Sequence, residues 1–320
     1  MVIKPADSKE RDLAQLNALL ARPDIEPAPR KRIEREIRTM AAGIKGEKEA
    51  AYEMEFHFGN SRNWMIIHDL RIQYKGRAAQ IDHLLINRVL EIYVCESKHF
   101  SEGIAINDLG ECTAFWNNTP YGVSSPIEQN RKHMLVLQSV LDDGWVKLPS
   151  RLGFTLKPTL KGLVLVSKKA RITRPEGTLA DIDTIIKIDQ LKSRIDQDAD
   201  NESSFGNIGS LAKVISPETL EALAQRIAAL HQPIAFDWEG KFGISKAVAQ
   251  KHSPTPVPKV AVTQASPSAS TAVEEEKPKS KLLCHACGEK VSYTVAKFCW
   301  FNKGRFGGDV FCMDCQKAVS

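Results

Sequence analysis

The sequence predicts an α/β fold, a sheet flanked by helices, followed by a small cysteine-bearing module. Three observations predict it. Apolar, β-branched runs at 64–74, 80–87 and 90–98 are bounded by turn residues, as strands are. Segments with helical signals precede and follow them, at 30–43, 126–141 and 216–230. Two C-x-x-C pairs lie near the end of the chain. Of the 320 residues, 42% are hydrophobic, enough for a real core, and the net charge of +5 permits a polyanionic partner without demanding one. No apolar run approaches the roughly 18–20 residues that cross a bilayer, which excludes a helical membrane protein. The opening MVIKPADSKERD lacks the apolar stretch of a secretory signal, so a cytoplasmic location is expected. There, paired cysteines read as metal ligands rather than disulfides.

Residues 1–43 form a charged helical segment, in which RKRIEREIRTMAAG spaces Ile33, Ile37 and Met40 at helical intervals. GEKEAAYEMEFHF predicts a further helix opening at Gly46–Glu47 and closing near Gly59–Asn60. The strand WMIIHDLRIQY turns at 75–77, and QIDHLLIN with LEIYVCESK forms a hairpin around Arg88–Val89. After a short GIAIN strand and a polar stretch, Pro126 opens the helix PIEQNRKHMLVLQSVL. Strands follow at 162–168 and 183–189, then an amphipathic helix capped by Ser216. The main domain spans 44–250. Residues 251–281, rich in Pro, Ser, Ala and Thr, predict a flexible linker. Residues 282–320 form the cysteine module.

Side chains alternate along a strand, so Asp82, Leu84 and Ile86 share one face, as do Leu90, Ile92, Val94, Glu96 and Lys98. Antiparallel pairing sets Ile86 against Ile92, Leu84 against Val94 and Asp82 against Glu96. Both strands turn from apolar to charged at one level. Two opposed carboxylates repel unless a cation lies between them, and Mg²⁺ takes one or two carboxylates while keeping sites for water and phosphate oxygens. Lys98 is then placed to act on an attacking water or on developing phosphoryl charge. The competing reading is an ordinary strand end with a Glu96–Lys98 ion pair, which leaves Asp82 unexplained.

GEKEA, IHDLRI, QIDHLLI, IYVCESKHFSEGI, a tryptophan and SPIEQNRKH, in that order over about Gly46–Leu141, resemble the nuclease-related domain (NERD). That family is similar to the restriction-endonuclease-like group with its Asp…(Asp/Glu)-x-Lys core. The resemblance implies a restriction-endonuclease-like mixed sheet flanked by helices. It implies a Mg²⁺ or Mn²⁺ held by Asp82, Glu96 and the Ser97 carbonyl, and catalytic roles for Asp82, Glu96, Lys98, Gln129 and Glu47. Ser97 departs from the threonine often found there. Trp116 fits the pattern. Glu47 also reads as a helix-start carboxylate that favours the dipole, and Gln129 as a plain helix residue. His83 reads as structural, His99 as a possible phosphate contact, and Cys95 and Cys112 as small buried residues.

Cys284, Cys287, Cys312 and Cys315 have the paired spacing of a tetrahedral structural Zn²⁺, with the intervening residues expected as a short β-ribbon. Cys299 is left for the mini-core, and His285 is a weaker ligand. Tyr293, Phe298, Trp300, Phe301, Phe306 and Phe311, with Lys290, Lys297, Lys303 and Arg305, suit base stacking and phosphate contact. A protein partner or a core for the module would use the same aromatics. The arrangement resembles family members carrying a DNA-binding zinc finger. A metal-dependent DNA nuclease is thus expected. The alternative is a non-catalytic nucleic-acid-binding or adaptor protein, and RNA remains open as the target.

Overall fold

The computed structural model describes residues 1–204, 213–244, 283–291, 293–307 and 309–317. They fall into two compact units, Met1–Ala249 and Gln250–Ser320. The linker expected at 251–281 lies outside the described residues.

The first unit opens with strand β1 (Val2–Lys4), helix α1 (Glu10–Leu20) and helix α2 (Pro27–Phe58). Pro27 sits at the first helical position, where its missing N–H costs nothing. The break expected between Ala42 and Gly46 does not occur. Gly43 and Gly46 lie inside α2, and Gly46 is buried because His99 packs there: a Cβ on Gly46 would stand 3.1 Å from the His99 Cβ. Propensity alone disfavours glycine in a helix, but packing overrides it here.

Strands β2 (Trp64–Tyr74), β3 (Arg77–Asn87) and β4 (Glu91–Lys98) follow as an antiparallel run. Lys75 and Gly76 make the first turn, both with positive φ. Asn87 shapes the second: its Oδ1 accepts from Val89 N and Glu91 N, and Leu90 takes a left-handed conformation. The register pairs Ile86 with Ile92 and Leu84 with Val94, as read from the sequence.

A side lobe comes next. β5 (Gly103–Ile106), β6 (Cys112–Trp116) and β7 (Thr119–Val123) join the later β11 (Arg171–Thr173) in a four-stranded sheet ordered β11-β5-β6-β7. The β6–β7 hairpin falls in the stretch expected to be merely polar. Asn117 and Asn118, both left-handed, form its turn, and Pro120 is tolerated because β7 is an edge strand. Helix α3 (Pro126–Asp142) starts at Ser125, whose side chain accepts from Glu128 N, a cap typically worth about 1 kcal/mol.

A small hairpin, β8 (Ser150–Arg151) and β9 (Phe154–Thr155), leads to β10 (Thr159–Val166), then β11, β12 (Ile185–Lys187), α4 (Leu191–Ser204), α5 (Pro217–Ala228) and α6 (Trp238–Phe242). The main sheet is ordered β1-β2-β3-β4-β10-β12, with β2, β3 and β4 antiparallel and the remaining pairs parallel. Its two faces are covered separately. Leu84, Ile86, Ile92 and Val94 pack under α3 and α5, whereas Leu85, Tyr93 and Cys95 pack under Ala50, Met54 and Phe58 of α2. Two-sided burial explains why β4 is buried along nearly its whole length.

In the second unit, the expected β-ribbon reduces to one antiparallel bridge, Leu283 with Lys290. The residues between the cysteine pairs instead form helices α7 (Tyr293–Phe301) and α8 (Lys303–Phe306). VAKFCWF places Cys299 three residues after the buried Ala296, a helical interval that buries both on one face.

Candidate functional site

Glu96 ends the apolar face of β4, and its side chain is almost fully buried. Oε1 accepts from Lys98 Nζ at 2.6 Å and from Gln129 Nε2 at 2.7 Å. Among the described residues Oε2 has no hydrogen-bond donor; His133 Nδ1 stands 3.4 Å away, outside hydrogen-bonding geometry. The sequence reading missed His133. Its signal was present: Gln129 and His133 are four apart, one turn of α3, and so share a face. Between them Asn130 Nδ2 donates to the Val94 carbonyl (2.9 Å) and the Leu163 carbonyl (3.1 Å), fastening α3 across β4 and β10. Gly162 permits that approach, because a Cβ there would stand 2.9 Å from Met134 Sδ.

The β3–β4 ladder stops at His83–Cys95, one residue short of the expected Asp82–Glu96 pair. The Asp82 carboxylate takes over: its Oδ2 accepts the Ser97 N–H at 2.8 Å. Burial, and then the negative charges of Glu96 and Glu47, push the Asp82 carboxyl well above its ordinary value. Strand alternation also inverts at this level. Ile67 and Leu70 lie in the same core face, as do Ile81 and Leu84. The hinge of this inversion is Asp69, buried, with φ 53°, at the one unpaired level between His68–His83 and Leu70–Ile81. An aspartate held left-handed costs roughly 1–2 kcal/mol, and such strain gathers at functional sites.

Glu47 lies in the interior of α2, so the helix-start role weighed for it does not apply. Both its oxygens accept from Lys9 Nζ, at 2.8 and 2.6 Å. Burial, against the pull of Lys9, raises the Glu47 carboxyl above its ordinary range. Burial alone would lower the Lys9 ammonium; the Glu47 hydrogen bond and charge, with Asp69 and Asp82 behind it, outweigh that and raise it.

On the opposite face of the sheet, Ser97 Oγ lies 3.0 Å from His83 Nε2, and His83 Nδ1 lies 2.7 Å from His68 Nδ1. His68 Nε2 stands 3.3 Å from Glu55 Oε1. Burial lowers both histidines, so both are neutral at pH 7. The His68 Nε2 contact with Glu55 lies outside hydrogen-bonding geometry. One hydrogen lies between the two Nδ1 atoms, and the Ser97 hydroxyl bonds to His83 Nε2. His83 is thus structural and orients Ser97. His99 Nδ1 pairs with Ser167 Oγ at 3.0 Å. Trp116 is exposed beside the β6–β7 turn, whose Asn117 and Asn118 N–H groups donate to Glu102, in the loop just after Lys98. Cys95 and Cys112 are buried.

In the second unit, one sulfur each from Cys284, Cys287, Cys312 and Cys315 lies within 4.8 Å of the others. Among the described residues this is the one such gathering of three or more His, Cys, Asp or Glu ligand atoms. Gly288, with φ 73°, lets the first knuckle turn back so that its N–H donates to the Cys284 carbonyl. Burial opposes the Cys284 thiolate, but backbone N–H groups of Cys312, Cys287 and Ala286 favour it and hold the thiol down at about 6. Cys299 stays outside the cluster, accepting from Phe311 N and Gln316 Nε2. His285 is exposed, lies 3.7 Å from Asp309 and stands outside the cluster of four sulfurs. Phe306 is core, whereas Phe298 and Trp300 are exposed. The side chains of Tyr293, Lys297, Phe301 and Lys303 lie outside the described residues.

The donors fit two different metals. Asp82, with no lysine or arginine bonded to it among the described residues, and the unpartnered Glu96 Oε2 offer hard oxygen to a divalent cation. The four sulfurs suit a soft tetrahedral ion. Asp82, half-buried in the middle of β3, and Glu96 and Lys98, at the end of β4, come together in one region of the sheet. Residues 42–166 match the model of the nuclease-related domain, NERD. The match starts within α2 and ends with β10; it holds Glu47, Asp82, Glu96, Lys98 and Gln129 and leaves out Lys9 and the four clustered cysteines. None of the curated proteins or solved structures compared matches the chain. Among the described residues, no helix is long and apolar enough to cross a membrane.

Proposed function

We propose that the protein is a metal-dependent nuclease that hydrolyses phosphodiester bonds in DNA. The observation that carries this reading is Glu96: a buried carboxylate gripped by Lys98 and Gln129 on one oxygen and bare on the other, one residue from the Asp82–Ser97 bond. Asp82, Glu96 and the Ser97 carbonyl would hold Mg²⁺ or Mn²⁺. When bound, that ion polarises the phosphoryl oxygen and acidifies a bound water. Gln129 fixes the Glu96 carboxylate by its amide. Lys98 lies at the mouth of the site, where its ammonium meets the charge that builds on phosphoryl oxygens. Ser97 and the two histidines behind it hold β4 in register under Asp82. The cysteine module would bind one structural Zn²⁺ and present Phe298 and Trp300 to unpaired bases. Tethered through residues 251–281, it would raise the local concentration of nucleic acid.

The test is cleavage of circular and linear DNA, single- and double-stranded, with Mg²⁺, Mn²⁺ or chelator. Lys98→Ala is expected to lower the cleavage rate by about 10²–10⁴-fold while leaving DNA binding largely intact. Undiminished cleavage by both Lys98→Ala and Asp82→Asn would show that the activity arises elsewhere. Removing residues after Gln250 is expected to weaken DNA binding. If the shortened protein binds as tightly over a range of salt concentrations, the module serves a protein partner instead.

A further inference from the structure

Charge in this site is distributed unevenly. Lys98 neutralises Glu96, and Lys9 neutralises Glu47 with both carboxylate oxygens bonded to one ammonium. The charges of both Glu96 and Glu47 act on Asp82. Asp69 adds a further negative charge close enough to act on both Lys9 and Glu47. Four carboxylates thus face two ammonium groups, and one divalent ion makes the cluster neutral. Without Lys9, one divalent ion would leave the cluster with a residual negative charge, which attracts a further cation. Lys9 is no casual surface contact: its side chain is three-quarters buried and sits just before α1, which packs on α2. It comes from outside the matched segment 42–166, so the N-terminal segment completes a site that the matched residues leave one cation short.

We infer that Lys9 is a resident cation of this site, holding on Glu47 the place of a second metal, so that the site takes one Mg²⁺ or Mn²⁺ at Asp82 and Glu96. The inference rests on the proposed metal site. Its physical content is substitution of a fixed ammonium for a diffusible ion. Lys9 is therefore a positioning residue, setting metal number and the place of Glu47. It also accounts for the pairing of a half-buried glutamate that the helix needs neither as cap nor as core.

Mn²⁺ titration of the full chain, with the cysteine module already loaded with zinc, tests this by calorimetry and by electron paramagnetic resonance. Wild type is expected to bind one Mn²⁺ that Asp82→Asn abolishes. Lys9→Met, and Lys9→Gln as a variant that keeps a donor for Glu47, are expected to bind two. The second ion lies near the first and so broadens the Mn²⁺ spectrum by spin–spin coupling. Lys9→Arg, which keeps the charge, returns the count to one. Two coupled ions in wild type, or one unbroadened ion in all the Lys9 variants, overturns the role of Lys9 and leaves the Asp82–Glu96 metal site standing. No Asp82-dependent Mn²⁺ in wild type overturns both.

Discussion

Replacing Asp82 by asparagine separates the proposed metal site from a structural hydrogen bond. Asparagine keeps an oxygen to accept the Ser97 N–H but removes the charge that Glu96 and Glu47 oppose. At an effective dielectric constant of about 20, two carboxylates about 6 Å apart repel by about 3 kcal/mol. Lys98 on Glu96 and Lys9 on Glu47 offset much of that, leaving about 1–2 kcal/mol of strain for Asp82→Asn to relieve, or a Tm rise of about 2–8 °C for a unit of this size. The assay is thermal melting in divalent-free buffer, with zinc retained in the cysteine module, followed by Mn²⁺ addition. The variant is expected to melt above wild type without Mn²⁺ and below it with saturating Mn²⁺, since only wild type gains from binding. The pH dependence has a definite sign. The Asp82 carboxyl is raised in the folded state, so its proton stabilises the fold fully below the ordinary value of 3.8. That stabilisation is lost as pH rises through the higher folded value. Metal-free wild type should therefore lose stability over that window relative to the variant. A variant that melts lower than wild type without metal, or that gains equally from Mn²⁺, refutes the reasoning.

The cysteine module should carry about one zinc per chain, and Cys284→Ser with Cys312→Ser should lose both the zinc and the module's fold, read by metal analysis and near-ultraviolet dichroism. Its thiols differ, Cys284 held down at about 6 and Cys315 pushed up to about 12 by hydrogen bonding with Cys312 and Cys287. Zinc uptake should therefore release protons and weaken as pH falls, and an affinity unchanged between pH 8 and pH 6 would count against thiolate ligation. Gly46→Ala should change stability by less than about 1 kcal/mol, because helix propensity gains roughly what crowding against His99 at 3.1 Å loses. Gly46→Leu should lose about 1–3 kcal/mol by overpacking, and a urea midpoint unchanged in that variant would mean α2 does not pack on His99 as described.

The sequence by itself determined the central hairpin and the two cysteine knuckles, because both are local. Alternation along QIDHLLIN and LEIYVCESK, closed by a short turn, leaves one register that buries both apolar faces, and that register is the one found. The C-x-x-C spacing likewise turns on its own, helped by Gly288. Tertiary structure decided what no window could show. Gly46 reads as a helix boundary until His99, from the segment just after β4, occupies the missing side chain's place. Glu47 reads as a helix-start carboxylate until α2 proves continuous and Lys9 arrives from the residue just before α1. Asp69 reads as a strand residue, yet its left-handed backbone inverts the alternation of two strands together, a cooperative event that period-two reasoning does not contain. His133 and Asn130 needed α3 docked on the sheet before their spacing acquired meaning. Charge near charge is long-ranged, and which carboxylates share a cation depends on where separate elements meet. Residue types and local spacing supplied the candidate ligands; the meeting of α1, α2, α3 and three strands distributed the two lysines among them.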